Sequence, residues 1–145
     1  MRYEKATEGI RIQVTPRFSL ADSDPAVGTF VFSYRIRMAN EGDSSAQLLF
    51  RHWLIHDAVG EDSHVDGEGV VGKQPLLEPG DSHEYQSYCV LRSPIGYMEG
   101  YYTFVRKNGE QFRVEVPRFQ LNGPLVMPGR GPELFDDDQG TRTMH

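Results

Sequence analysis

Apolar and polar residues alternate along this chain with a period of two, and the alternation starts at Gly9. Ile10, Ile12 and Val14 face one way and Arg11, Gln13 and Thr15 the other, until Pro16 interrupts. This predicts a first strand, placed at a sheet edge because proline cannot donate to a ladder. Asp22-Ser23-Asp24-Pro25 is loop chemistry. A stronger strand follows, with Phe30, Phe32, Tyr34, Ile36 and Met38 on one face and Val31, Ser33, Arg35 and Arg37 on the other. One buried and one wet face is the signature of antiparallel sheet. Asn40-Glu41-Gly42-Asp43 closes it.

From Gln47 to Asp57 the apolar content is denser and the alternation imperfect. Turn residues on both flanks and the aromatic content favour a central strand over a helix. Gly60 to Gly80 reads as mostly loop, with short extended pieces at His64-Val65 and Leu76-Leu77. His83 to Leu91 is a strand, with Tyr85, Ser87, Cys89 and Leu91 opposite Glu84, Gln86, Tyr88 and Val90. A hairpin follows: Met98, Gly100, Tyr102 and Phe104 line one arm, and Phe112, Val114 and Val116 line the other. Its turn is Asn108-Gly109, the strongest short-range hairpin signal because both residues tolerate positive φ. Pro117 weakens the continuation, and Phe119 and Leu121 end the pattern. About seven antiparallel strands without a helix or a repeat imply an all-β sandwich rather than a small barrel.

The pattern also divides the chain. Residues 1–8 read as an N-terminal arm and residues 9–127 as the β-sandwich domain. Residues 128–145, with Leu134 and Phe135 nearly alone among Pro, Gly and Asp136-Asp137-Asp138, read as a mobile acidic tail.

Composition narrows function mainly by exclusion. The 145 residues carry 15 Lys+Arg against 21 Asp+Glu, a formal charge of −6, which argues against nucleic-acid binding through the phosphate backbone. No apolar run approaches the roughly 18–20 residues that span a bilayer, and Met1-Arg2-Tyr3-Glu4-Lys5 lacks the apolar core of a secretory signal. The single cysteine, Cys89, suits a reducing cytoplasm.

Three groups of residues carry candidate chemistry. Gly67-Glu68-Gly69-Val70-Val71-Gly72 matches G-x-G-x-x-G, but no buried strand precedes it and Pro75 forbids the helix a dinucleotide site needs. A loop or bulge needing glycine's φ range is the ordinary reading; a loop holding an anion, with Lys73 beside it and Glu68 opposing, is the sharper one. His52, His56 and His64, with Asp57, Asp62 and Asp66 nearby, are weak metal candidates, because their spacing matches no diagnostic ligand set. Arg35 and Arg37 share a wet strand face and offer either cross-strand pairing or a basic interaction face. Cys89, set in a strand between Tyr88 and Val90, reads as a buried small residue rather than a nucleophile, and no catalytic residues or cofactor are predicted.

In order and spacing, several of these pieces resemble the ApaG family: Gln47-Leu48-Leu49, Arg51-His52-Trp53-Leu54-Ile55, Gly67 through Pro75, Pro79-Gly80, Gly96-Tyr97-Met98-Glu99-Gly100-Tyr101-Tyr102 and Pro117-Arg118-Phe119. The resemblance runs from about Gly9 to Leu125. It implies a fibronectin-type-III-like or immunoglobulin-like sandwich in a small cytoplasmic protein. Members are associated with cobalt resistance and magnesium efflux, and related eukaryotic domains look like protein-interaction modules. The glycine stretch has been viewed in the family as a phosphate loop, and no catalytic residues come with the resemblance. The expected function is a non-enzymatic module that binds a protein partner. The alternatives are a sensor of nucleotide phosphate or a divalent cation at the glycine loop, and self-association as a homodimer is open.

Overall fold

The computed structural model describes residues 1–124; the expected tail, 128–145, and the domain boundary at 127 lie outside them. Nine strands follow in order: β1 (Tyr3–Thr7), β2 (Ile10–Phe18), β3 (Phe30–Asn40), β4 (Ala46–Asp57), β5 (Ser63–Glu68), β6 (Leu76–Leu77), β7 (Ser82–Leu91), β8 (Ile95–Val105) and β9 (Gln111–Asn122). A single 3₁₀ turn, Pro25–Val27, is the only helical piece among the described residues. All pairings are antiparallel. One sheet has the order β1-β2-β3-β7; the other has the order β5-β4-β8-β9, with β6 also on β4. The two sheets form the expected sandwich.

Alternation builds the core as the pattern predicts. Phe30, Phe32, Tyr34, Ile36 and Met38 of β3 are all buried, facing Leu48, Trp53, Met98, Tyr102, Phe104 and Phe119 from the other sheet. At the centre the Trp53 indole meets Tyr34, Tyr102 and Phe119 edge-on at 5.8–6.0 Å between ring centres. That edge-to-face arrangement suits ring quadrupoles and packs a wide core with few atoms.

The first predicted strand differs from expectation. The Ile10 strand is not an edge strand, because residues of the N-terminal arm supply β1 and flank it. Pro16 is tolerated because β1 ends at Tyr3 opposite Val14, so the strand has a neighbour on one side only by the time it reaches the proline. The β8–β9 turn lies at the expected place but has three residues. Arg106 and Glu110 close it, and only Gly109 takes positive φ, the form of a type I turn followed by a left-handed residue.

The two long sides of the sandwich differ. On one, β1 lies along β9: Lys5 pairs with Glu115, the Glu115 N–H reaches Thr7 Oγ1 and the Gln120 N–H reaches the Tyr3 hydroxyl. On the other, β7 and β5 are the outer strands of their sheets, and no strand bridges them among the described residues. That side is open.

Candidate functional site

The opening is made by one irregularity in β4. Pairing with β8 slips between Leu48 and Phe50, a β-bulge that places an extra residue, Leu49, in the strand. Before the bulge Ala46 and Leu48 are buried; after it the phase is reversed, so Arg51 and Trp53 share the inner face. A charged residue is thereby placed between the sheets. The Arg51 guanidinium lies flat against Gly67, where any Cβ would overlap it, and Nη1 donates to the carbonyls of Glu68 (2.9 Å) and Gly69 (3.0 Å).

The glycine stretch spans the same bulge. β5 pairs with β4 as far as Glu68 opposite Phe50, and β6 resumes at Gln47 opposite Leu76. Between them the Leu49 carbonyl accepts the Gly69 N–H and Gln74 Nε2. Val70 and Lys73 close a tight two-residue turn by exchanging both backbone bonds. Its central residues, Val71 (φ 49°) and Gly72 (φ 77°), are both left-handed. Gly69 (φ 63°) has no space for a Cβ against the Lys73 carbonyl. The motif is thus a turn, and the N–H groups of Gly69, Val70 and Lys73 are occupied by backbone carbonyls rather than aimed at a common anion.

Behind the turn an inter-sheet cleft of about 400 Å³ opens toward β7. Its floor is Tyr34, Trp53 and Met98, all buried, and its rim is Val65, Val71 and Tyr88, which are 38%, 65% and 54% exposed. Polar groups enter from Arg51, Ser87 and Tyr85, whose hydroxyl shares a 2.6 Å hydrogen bond with that of fully buried Tyr102. Burial pushes the Tyr34, Tyr85 and Tyr102 hydroxyls above the usual tyrosine range, so they stay protonated near neutral pH. Among the described residues no acidic side chain lines the cleft.

A second concavity, about 820 Å³, is on the outer face of the β5-β4-β8-β9 sheet and has a different character. Its floor is Leu54 and Gly100, where a Cβ would overlap the His52 carbonyl. Two parallel ladders cross this face. In one, Asp66 meets His52 Nδ1 (2.9 Å), His52 stacks on Tyr101 at 4.3 Å, and the Arg113 guanidinium lies over that ring at 4.2 Å. In the other, Asp62 meets His56 Nδ1 (2.7 Å), His56 stacks on Tyr97 at 4.6 Å, and Arg118 covers that ring while bonding Glu99. The four-residue spacing of His52/His56 and of Tyr97/Tyr101 is the antiparallel register made visible. Each histidine has its own carboxylate and its own ring partner. Among the described residues no three His, Cys, Asp or Glu side chains gather to hold a metal. His64 is exposed in β5 beside Leu54 of β4.

The remaining candidates are dispersed. Arg35 and Arg37 are exposed on the outer face of β3, in the other sheet. Arg35 Nη2 reaches Gln86 Oε1 at 3.5 Å and Arg37 stands opposite Glu84 in register. Cys89 is buried, and that burial, with Asp57 adding to it, pushes its thiol up to about 11. Arg51, Val71 and Tyr85 were not singled out from the sequence as site residues. Only the broken alternation around Leu49 hinted that Arg51 would turn inward.

Fold and cleft together define a small two-sheet antiparallel sandwich with one sealed and one open side. A family model described as the ApaG domain, DUF525, matches residues 20–106. The chain belongs to the ApaG family. Protein ApaG of Anaeromyxobacter dehalogenans (strain 2CP-C) is 49% identical over 123 residues, covering 85% of this chain and 94% of that protein. Protein ApaG of Methylorubrum populi is 44% identical over 122 residues, covering 84% and 94%. A solved Bordetella pertussis structure designated ApaA shares 42% identity and a TM-score of 0.76, covering 85% of this chain and 97% of that one.

Proposed function

We propose that this chain is a non-enzymatic module that docks a protein partner along its open side. The observation that carries the reading is the exposed apolar rim formed by Val65, Val71 and Tyr88. Apolar side chains gathered at one edge of a small domain mark an interaction surface. The cleft's tyrosines are poorly suited to acid–base catalysis near neutral pH, because burial holds their hydroxyls protonated. The family's association with cobalt resistance and magnesium efflux enters through the partner in this reading, in the cytoplasm.

A photo-crosslinking residue placed at Tyr88, and separately at Arg37, tests it in growing cells. A discrete protein adduct from Tyr88 and none from Arg37 is expected; adducts from neither, or from Arg37 alone, overturn the reading. The sensor alternative at Gly67–Lys73 has Lys73 in its favour, but three of its backbone N–H donors are already engaged. Calorimetry with ATP, Mg²⁺ and Co²⁺ is expected to be flat at millimolar ligand.

A further inference from the structure

An outer strand carries a row of N–H and C=O groups that a neighbour would otherwise satisfy, and natural sheets disguise such edges with lysine, proline, bulges or short length. β7 has none of these devices. It runs ten residues, from Ser82 to Leu91, contains no Pro or Lys, and pairs with β3 without a register shift. No backbone hydrogen bond outside the β3 ladder reaches it among the described residues. The facing edge, β5, is shorter and carries His64, Asp66 and Glu68.

Side chains on a strand added to β7 would point alternately to the two faces. On the inner side they would enter the cleft over Trp53, Tyr34 and Met98, a volume of about 400 Å³ that takes a large apolar side chain. Arg51 waits at its inner wall. Only its Nη1 donates among the described residues, to two carbonyls, and no carboxylate faces it within the cleft. In a chain of net charge −6 an uncompensated guanidinium beside an apolar floor is complementary to one acid flanked by apolar residues.

We propose that the open side binds an extended peptide segment of a partner by strand addition to β7, with an apolar side chain seated on Trp53 and an aspartate or glutamate two residues away on Arg51. Backbone pairing then supplies general affinity and the cleft supplies selectivity. This deepens the protein-docking reading and rests on it. It also gives Val71 a role: the left-handed turn holds an apolar side chain as the lip of the cleft.

A random twelve-residue peptide library displayed on phage, selected on the full chain, tests the proposal. Enriched sequences are expected to alternate apolar residues and to carry one Asp or Glu at a fixed spacing from the largest. A synthetic peptide from the winners should slow hydrogen exchange across Ser82–Leu91 and bind at least tenfold more weakly to Val71→Asp, an exposed change that leaves the core alone. Arg51→Gln should weaken that peptide but not its Glu→Gln counterpart, a comparison that holds even if the turn loosens. No enrichment, or a bound peptide that leaves the β7 amides unprotected, overturns strand addition. So does a chain that dimerises at micromolar concentration with β7 protected by its own copy, or a cleft filled by phenylacetate while no peptide competes. A protein adduct at Tyr88 combined with unprotected β7 amides would defeat this proposal and leave the docking reading standing.

Discussion

Replacing Val71 with asparagine is expected to make the protein more stable and worse at binding. Val71 holds φ at 49°, where the β-carbon crowds the following carbonyl and costs an ordinary residue roughly 1–2 kcal/mol. A β-branched side chain belongs at the upper end of that range, whereas asparagine visits the region readily and, before Gly72, completes the preferred sequence for such a turn. The side chain is 65% exposed, so only about a third of a valine's burial gain, or about 0.7 kcal/mol, is forfeited. The balance is about 1 kcal/mol in favour of Val71→Asn, or about 3–5 °C in Tm for a domain of this size. Urea unfolding followed through Trp53, the sole tryptophan and a buried one, reads the change directly. Val71→Gly separates strain from entropy. It relieves the same backbone, but a glycine gives the unfolded chain about 0.5–1 kcal/mol of extra freedom, so it should finish near the parent. A Val71→Asn variant no more stable than the parent would refute the strain argument. One that gains stability and keeps full affinity for β7-binding peptides would refute the idea that strain is retained for the lip.

Three further outcomes follow from the interior. Tyr85→Phe strands the hydroxyl of fully buried Tyr102 and should cost about 1–3 kcal/mol, while adding Tyr102→Phe should recover part of the loss in a double-mutant cycle. Gly100→Ala drives a methyl into the His52 carbonyl and should cost roughly 3 kcal/mol with displacement of the His52–Tyr101 stack in NMR spectra; a near-neutral result would mean that β8 slides freely. Burial raises the Cys89 thiol from 9.0 to about 11, so its contribution is intact below pH 9 and disappears as pH rises toward 11, because the unfolded chain ionises first. Tyr34, Tyr85 and Tyr102 shift in the same direction, so chemical denaturation between pH 8 and 11 should show declining stability, with the lower part of the decline absent from Cys89→Val.

Much of the fold was legible because antiparallel strands with one wet face write their burial into alternate positions. β3 and the two arms of the last hairpin could be read residue by residue, and even the short pairings at His64-Val65 and Leu76-Leu77 stood out between turn residues. β1 was missed because Tyr3–Thr7 has almost no buried face: its side chains read as polar, and its place is set by pairing with β2 and packing along β9. The hairpin turn was placed correctly but its length was not legible, because Asn108-Gly109 names a location while the closing pair, Arg106 and Glu110, determines the length.

The candidate site was hidden for a more specific reason. A strict period of two places Arg51 on the same face as Leu49, and that is the face opposite Ala46 and Leu48. The extra residue at the bulge inverts this phase, so Arg51 joins Trp53 inside and His52 and His56 are turned out to form the ladders. The same bulge leaves the Leu49 carbonyl without a strand partner on the β5/β6 side, and the glycine turn closes over it through the Gly69 N–H and Gln74. A motif that resembles a phosphate loop in one dimension is, in three, the patch over a bulge. Gly67 makes room for the Arg51 guanidinium and Gly69 for the Lys73 carbonyl, and the apolar side chain of Val71 is left exposed. In the strand-addition proposal this segment acts at the open edge of β7, where main-chain groups, an apolar floor and a single guanidinium meet.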